Sequence, residues 1–263
     1  MREINISTIS EYITFIKEIS DIGFSFFRGQ DSCMFHRLLP SLLRENTAGI
    51  RVYSDQCDRN FINTFKSRGI SHLNFTPQNE WEWMSTAQHY GLPTRLLDWS
   101  QSPLSALFFA IENDQYVYNH DDDCSVIWCL NPTALNEKSR FVDDYTIIPN
   151  IIDDNSSLQT NLTQKYGVGV TLTQQIYPIA LICPSSNHRI NAQKGVFTLF
   201  PLNALPLEQM EGADDILCKV TIDRSDKYEI KKQLFDIGIT YSNIYPDLDS
   251  ICRDIKFEYG KNS

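Results

Sequence analysis

The sequence predicts an α+β fold: a single domain in which a mixed, mostly antiparallel central sheet is flanked by helices. Two observations carry this expectation. Helical periodicity and short β-rich apolar runs both occur along the chain. No repeat, low-complexity linker or compositional break divides its 263 residues, and with 42% of them hydrophobic the chain can bury one sizeable core.

The elements follow in order. Thr8 and Glu11 stand at capping-box spacing before apolar residues at 9, 12, 13, 16 and 19, which predicts an amphipathic opening helix from Thr8 to Ile19. Phe24-Ser25-Phe26-Phe27 predicts a short strand that delivers Arg28 at its end, with Gly29 next for a turn or for the close approach of a ligand. Val52–Phe65 and Asn79–Tyr90 are expected to be helical. The stretch Ala87–Ala110, AQHYGLPTRLLDWSQSPLSALFFA, predicts a helix end, a tight loop and a second helix start. Gly91 stops the first helix and Pro93 forbids its continuation, whereas Ser102-Pro103 supplies an N-cap and a first-turn proline for the second. Leu104, Leu107, Phe108 and Ile111 then form a buried stripe.

Tyr116–Asp123 is polar and acidic, as in a surface turn, and Cys124–Leu130 is apolar on both faces, as in a central strand. Residues 131–175, rich in Asn, Asp, Thr and Gln, are expected to be an irregular insertion or lid with some helix. Tyr177–Cys183, Gly195–Phe200 and Ile216–Ile222 predict further strands. Ser225–Phe235, stopped by Gly238, and a segment opened by Pro246-Asp247-Leu248 predict two closing helices.

Composition excludes several classes. A net charge of -10 argues against a general nucleic-acid surface, which needs a basic footprint, while leaving room for a local basic pocket. Seven cysteines without a CxxC pair, and an N-terminus without a hydrophobic signal core, predict a reduced, cytoplasmic protein. No apolar run approaches the roughly 20 residues that span a bilayer, so no membrane partner is expected. The chain holds no GxxxxGK[ST], GxGxxG, HExxH or GxSxG, and its histidines and cysteines make no metal-ligand spacing, so no metal is expected.

Among the residues suited to chemistry, Arg28 follows a strand of mostly aromatic residues. It is either a structural arginine paired with a carboxylate such as Asp98 or an anion clamp, since a guanidinium is a planar fork of donors. Arg95 poses the same choice. His89 and Tyr90 lie beside the loop opened by Gly91. Trp99 is either core or a flat wall for a ligand ring. The polar run Asn187–Gly195, with Arg189 and Gln193, is either a solvated turn or the rim of a pocket.

Four segments carry a resemblance to a known family: Phe27-Arg28-Gly29-Gln30; Ala87 to Ser100; Ser102-Pro103-Leu104; and Ala192-Gln193-Lys194-Gly195-Val196-Phe197. They resemble the FRG domain family, whose members are mostly bacterial and phage-associated, and matching pieces extend to Tyr245-Pro246-Asp247-Leu248, so one FRG-type domain is expected over residues 1–263. More distantly, the layout is similar to that of ADP-ribosyltransferases, in which a first strand offers an arginine or histidine to NAD, a second strand and its helix offer a serine or tyrosine motif, and a later strand offers a glutamate. The resemblance implies an NAD-handling enzyme with NAD as co-substrate, acting as a bacterial toxin or antiphage effector on a macromolecular target. The alternative is a non-enzymatic nucleotide-sensing module. Carried over, it implies Arg28, Asp98 and Gln193 as catalytic residues. Arg28, Gly29, Gln88, His89, Tyr90, Thr94, Arg95, Trp99, Ser100 and Arg189 would hold the nucleotide. Where the glutamate belongs, this sequence has Gln193, and Asp98 is the best substitute acid.

Overall fold

In the computed structural model, which describes residues 1–32, 37–113, 124–140, 148–150, 156–182 and 191–260, seven strands make one sheet. They are β1 (Arg2–Ile6), β2 (Phe26–Gln30), β3 (Leu96–Ser100), β4 (Cys124–Leu130), β5 (Ile179–Leu181), β6 (Gly195–Leu199) and β7 (Leu217–Asp223), in the order β1-β7-β4-β2-β3-β6-β5. Among these strands of the described residues, the edge pair β1–β7 is parallel and the other pairs are antiparallel. Around the sheet lie α1 (Ile9–Ser20), α2 (Gln56–Gly69), α3 (Glu80–His89), α4 (Pro103–Ile111), α5 (Pro132–Ser139), α6 (Ser156–Tyr166), α7 (Ala213–Ile216), α8 (Lys227–Asp236), α9 (Tyr241–Ile244) and α10 (Leu248–Tyr259). The α+β expectation, with a mixed and mostly antiparallel sheet, holds.

Local chemistry sets the helix ends. Thr8 Oγ1 accepts from the Glu11 amide at 3.3 Å and the Glu11 carboxylate accepts from the Thr8 amide at 3.1 Å, closing the capping box of α1. Asn79 caps α3 through the Glu82 amide, and Ser102 caps α4 through the Ser105 amide with Pro103 in the first turn. Gly91, at φ +87°, ends α3 in the left-handed region.

Packing builds three apolar clusters. On one face, Phe27, Ile127, Cys129, Val220 and Ile222 meet α1, α4 and α8. Farther along that face, Leu96, Phe197 and Leu199 meet Ile62 of α2 and Trp81, Met84 and Ala87 of α3. On the opposite face, Phe26, Leu97, Trp99, Trp128 and Val196 meet Leu38, Leu42 and Leu43 and the helices α5 and α7. Gly29 permits the closest of these approaches. A Cβ there would sit 1.9 Å from the Ala106 carbonyl oxygen and 2.7 Å from the Ala110 nitrogen, so α4 lies directly on the β2 backbone.

Three expectations change. Residues 96–100 are a strand, β3, and not a tight loop: Leu97 and Trp99 enter one cluster while Leu96 enters another, the alternation of a pleated strand. β1 was not expected at all. Its mostly exposed residues, with Ile6 fully buried, leave little local signal at a sheet edge. Cys124 is disulfide-bonded, where only reduced cysteines were expected; Cys57, Cys129, Cys218 and Cys252 are free. The expected insertion at 131–175 contains α5 and α6, with 141–147 and 151–155 outside the described residues, as is the expected turn at 116–123. Among the described residues no helix is long and apolar enough to cross a membrane, and no three His, Cys, Asp or Glu side chains gather to hold a metal.

Candidate functional site

β2 pairs with β4 along its whole length, from Phe26 to Gln30, and β3 pairs with β6 from Leu96 to Ser100. Between β2 and β3 the ladder is reduced to one pair, Phe27 with Ser100. At this parting lies a cavity of about 450 Å³, walled by α3 on one side and the end of α4 on the other. Sheet hydrogen bonds missing there must be replaced. Arg28 supplies one replacement, donating from Nη1 to the Asp98 carbonyl at 2.7 Å.

Arg28 is also the electrostatic centre of the cavity. Its Nε is buried with no hydrogen-bond partner. Burial pulls the guanidinium down to about 10, with the Asp98 charge opposing the shift and the like charge of Arg44 adding to it. It therefore still carries its charge at neutral pH. Arg44, which donates from Nε to the Leu39 carbonyl at 3.0 Å, also lines the cavity and is likewise lowered by burial, against the pull of Asp98. Two partly buried guanidiniums and a donor without an acceptor form an environment that an anion would satisfy.

Asp98 is exposed although it sits in the middle of β3, and its Oδ1 accepts from Gln88 Nε2 at 2.7 Å. Thr94 donates to Gln88 Oε1 and accepts from the Leu96 amide at 3.2 Å. A chain of bonds thus runs from a buried threonine through Gln88 to the carboxylate. Ser100 donates to the Gln193 carbonyl at 2.6 Å and accepts from the Ser102 amide at 2.9 Å, which stitches β3 to the approach of β6 and to the cap of α4. Gln193 in turn donates from Nε2 to the Ile244 carbonyl at 3.2 Å.

The structure thus brings Arg28, Gly29, Gln88, His89, Asp98, Trp99, Ser100 and Gln193 to one cavity and leaves others away from it. Arg95, 0% exposed, does not pair with Asp98. Its Nε lies 3.0 Å from Asp58 Oδ1, an ion pair off the hydrogen-bonding axis, and Nη1 and Nη2 donate to the carbonyls of Phe200, Tyr166 and Gly167. That is an architectural role, tying α2, β3 and the end of α6 together. Trp99 is 3% exposed and spends its indole N–H on Thr198 at 2.9 Å, so it offers an edge of the wall and not a free stacking face. Tyr90 is 65% exposed and packs edge-on against His89, outside the cavity wall. Thr94 acts from behind, through Gln88. Arg189 lies outside the described residues.

The sequence reading missed two cavity carboxylates, Asp31 and Glu112. Asp31 Oδ2 accepts from Asn113 Nδ2 at 3.0 Å. Glu112 stands at the C-cap of α4, where an acid opposes the helix dipole, and that anomaly is the signal that could have flagged it.

Residues 24–118 match the family model of the FRG domain. No curated protein and no solved structure matches the chain. The matched segment contains Arg28, Gln88, Asp98, Ser100 and Glu112, while Gln193 reaches the cavity from outside it. Over residues 24–118 the chain is therefore similar to the FRG domain.

Proposed function

We propose that the cavity binds NAD and that the protein is an NAD-handling enzyme of ADP-ribosyltransferase type, cleaving the nicotinamide glycosidic bond. The observation that carries this reading is the meeting of Arg28, Asp98 and Gln193 in one cavity, from segments 165 residues apart at their extremes (193 − 28). The volume of about 450 Å³ falls within the usual range for small-molecule sites. In this reading Arg28 and Arg44 take the diphosphate, and polar groups of Gln88 and Asp98 take ribose hydroxyls. The FRG resemblance adds a biological setting, a bacterial toxin or antiphage effector that modifies a macromolecule.

Bond cleavage builds positive charge on the ribose, and a nearby carboxylate stabilises it. Gln193 brings no charge and its amide is engaged with Ile244, so the acid must come from another residue on the cavity wall. The test is to incubate the protein with NAD and follow free nicotinamide. The expected outcome is release by the parent and loss of release by at least about 100-fold in Arg28→Ala, with unfolding free energy within about 1 to 2 kcal/mol of the parent.

One observation favours a second reading, a nucleotide-binding module without turnover: Asp98 and Gln193 each spend a side-chain atom on a structural partner. In that case NAD or a related nucleotide raises the unfolding midpoint while no nicotinamide forms.

A further inference from the structure

Glu112 ends α4 against the cavity and is held there from several directions. Its carbonyl accepts from Lys231 Nζ at 3.3 Å and from the Tyr241 hydroxyl at 3.0 Å. Lys231 is fully buried, with Nζ 5.1 Å from the centre of the Tyr241 ring, so a cation and a phenol both offset the negative end of α4. The carboxylate itself is fixed by the Tyr245 hydroxyl, which lies 3.0 Å from Oε1 and 3.0 Å from Oε2. An acid placed against a helix dipole and then braced in both backbone and side chain has the arrangement of a preorganised reacting group with a supporting shell.

Asp98 is set differently. Its carboxylate favours the charged forms of Arg28 and Arg44, and its Oδ1 is already taken by the Gln88 amide, which ties it to α3. We infer that Glu112 is the carboxylate that stabilises the ribose as the glycosidic bond breaks, with Tyr245 as its positioning residue; this rests on the NAD-cleaving reading above. The bond between C1′ and the nicotinamide nitrogen breaks and its electron pair leaves on the ring nitrogen, neutralising the pyridinium. The positive charge passes to C1′ and the ribose ring oxygen, opposite the Glu112 carboxylate. Water then adds to C1′ and its proton goes to solvent, so the products are nicotinamide, ADP-ribose and one proton. Gln193 and Tyr245 both belong to contacts with residues 244–245, which makes that short segment the support for the side of the cavity facing the end of α4.

The experiment compares the parent with Glu112→Gln, Glu112→Asp, Asp98→Asn and Tyr245→Phe, measuring NAD affinity, nicotinamide release and unfolding midpoint for each. Glu112→Gln is expected to keep Kd within about threefold and to lose at least about 100-fold in kcat, with Glu112→Asp recovering part of the loss because it keeps the charge. Tyr245→Phe is expected to lower kcat about tenfold with KM unchanged, a split that a merely structural role would not give. Release by Glu112→Gln at the parent rate while Asp98→Asn is silent would hand the role to Asp98 and overturn the inference. A parent that binds no NAD and releases no nicotinamide would overturn the NAD reading and this inference with it.

Discussion

Gly29→Ala is expected to cost about 3 kcal/mol or more of unfolding free energy, or to prevent folding, because the added methyl would meet two backbone atoms of α4. The Ala106 carbonyl and the Ala110 nitrogen belong to a regular helix and cannot rotate away as a side-chain tip could. Relief would require lifting α4 from β2, and with it Leu107, Phe108 and Ile111, all fully buried. Gly91→Ala is the matched control. It stands at φ +87° with open space around its added Cβ, so it carries only the backbone penalty of about 1 kcal/mol. Chemical denaturation distinguishes the two, and a Gly29→Ala cost no greater than that of Gly91→Ala would contradict the packing of α4 on the sheet. The sequence invites the reading that Gly29 serves a turn or the close approach of a ligand; in the structure Gly29 lines the cavity and its Cβ position is filled by α4.

Arg95→Met is expected to cost about 3 to 5 kcal/mol, since it leaves the Asp58 carboxylate buried beside the carbonyls that the guanidinium had satisfied. Asp58 keeps the Gly169 amide at 2.8 Å, which is not enough to offset a buried charge. The double variant Asp58→Leu with Arg95→Met should recover part of the loss. Coupling between Arg95 and Asp98 in the same type of cycle should be near zero, because they serve separate networks. Denaturation of the four species decides it: a single-variant loss below about 1 kcal/mol, or strong coupling to Asp98, would contradict the architectural role.

What was legible in the sequence was what depends on neighbours along the chain. Thr8 with Glu11, Ser102 with Pro103 and the glycine at 91 fixed helix ends through local hydrogen bonds and backbone geometry, and the strand that carries Arg28 and the strand that follows Gln193 could be located from apolar runs and turn residues. β3 escaped because the helix stop at Gly91 and the cap at Ser102 are strong signals that frame LLDWS as a connection, and only pairing with β6, about a hundred residues later (Asp98 with Phe197), makes it a strand. The partner of Arg95 escaped for the same reason: Asp58 lies in α2, and Asp98 was merely the nearer acid in sequence. Glu112 offered a local clue, an acid closing a helix, but its meaning depends on Tyr245 and Lys231, which arrive from the C-terminal helices.

The central claim, that Arg28 anchors an anionic nucleotide in the cleft between β2 and β3, is tested most directly by titrating NAD into the parent and into Arg28→Ala by calorimetry, from about pH 6 to about pH 9. Arg28 keeps its proton until pH is near 10, so parent affinity should be flat with respect to this group across that range. Loss of charge-assisted hydrogen bonds should weaken binding by Arg28→Ala roughly 10- to 150-fold. Equal affinity in the two proteins, or no heat of binding in the parent, would contradict the account.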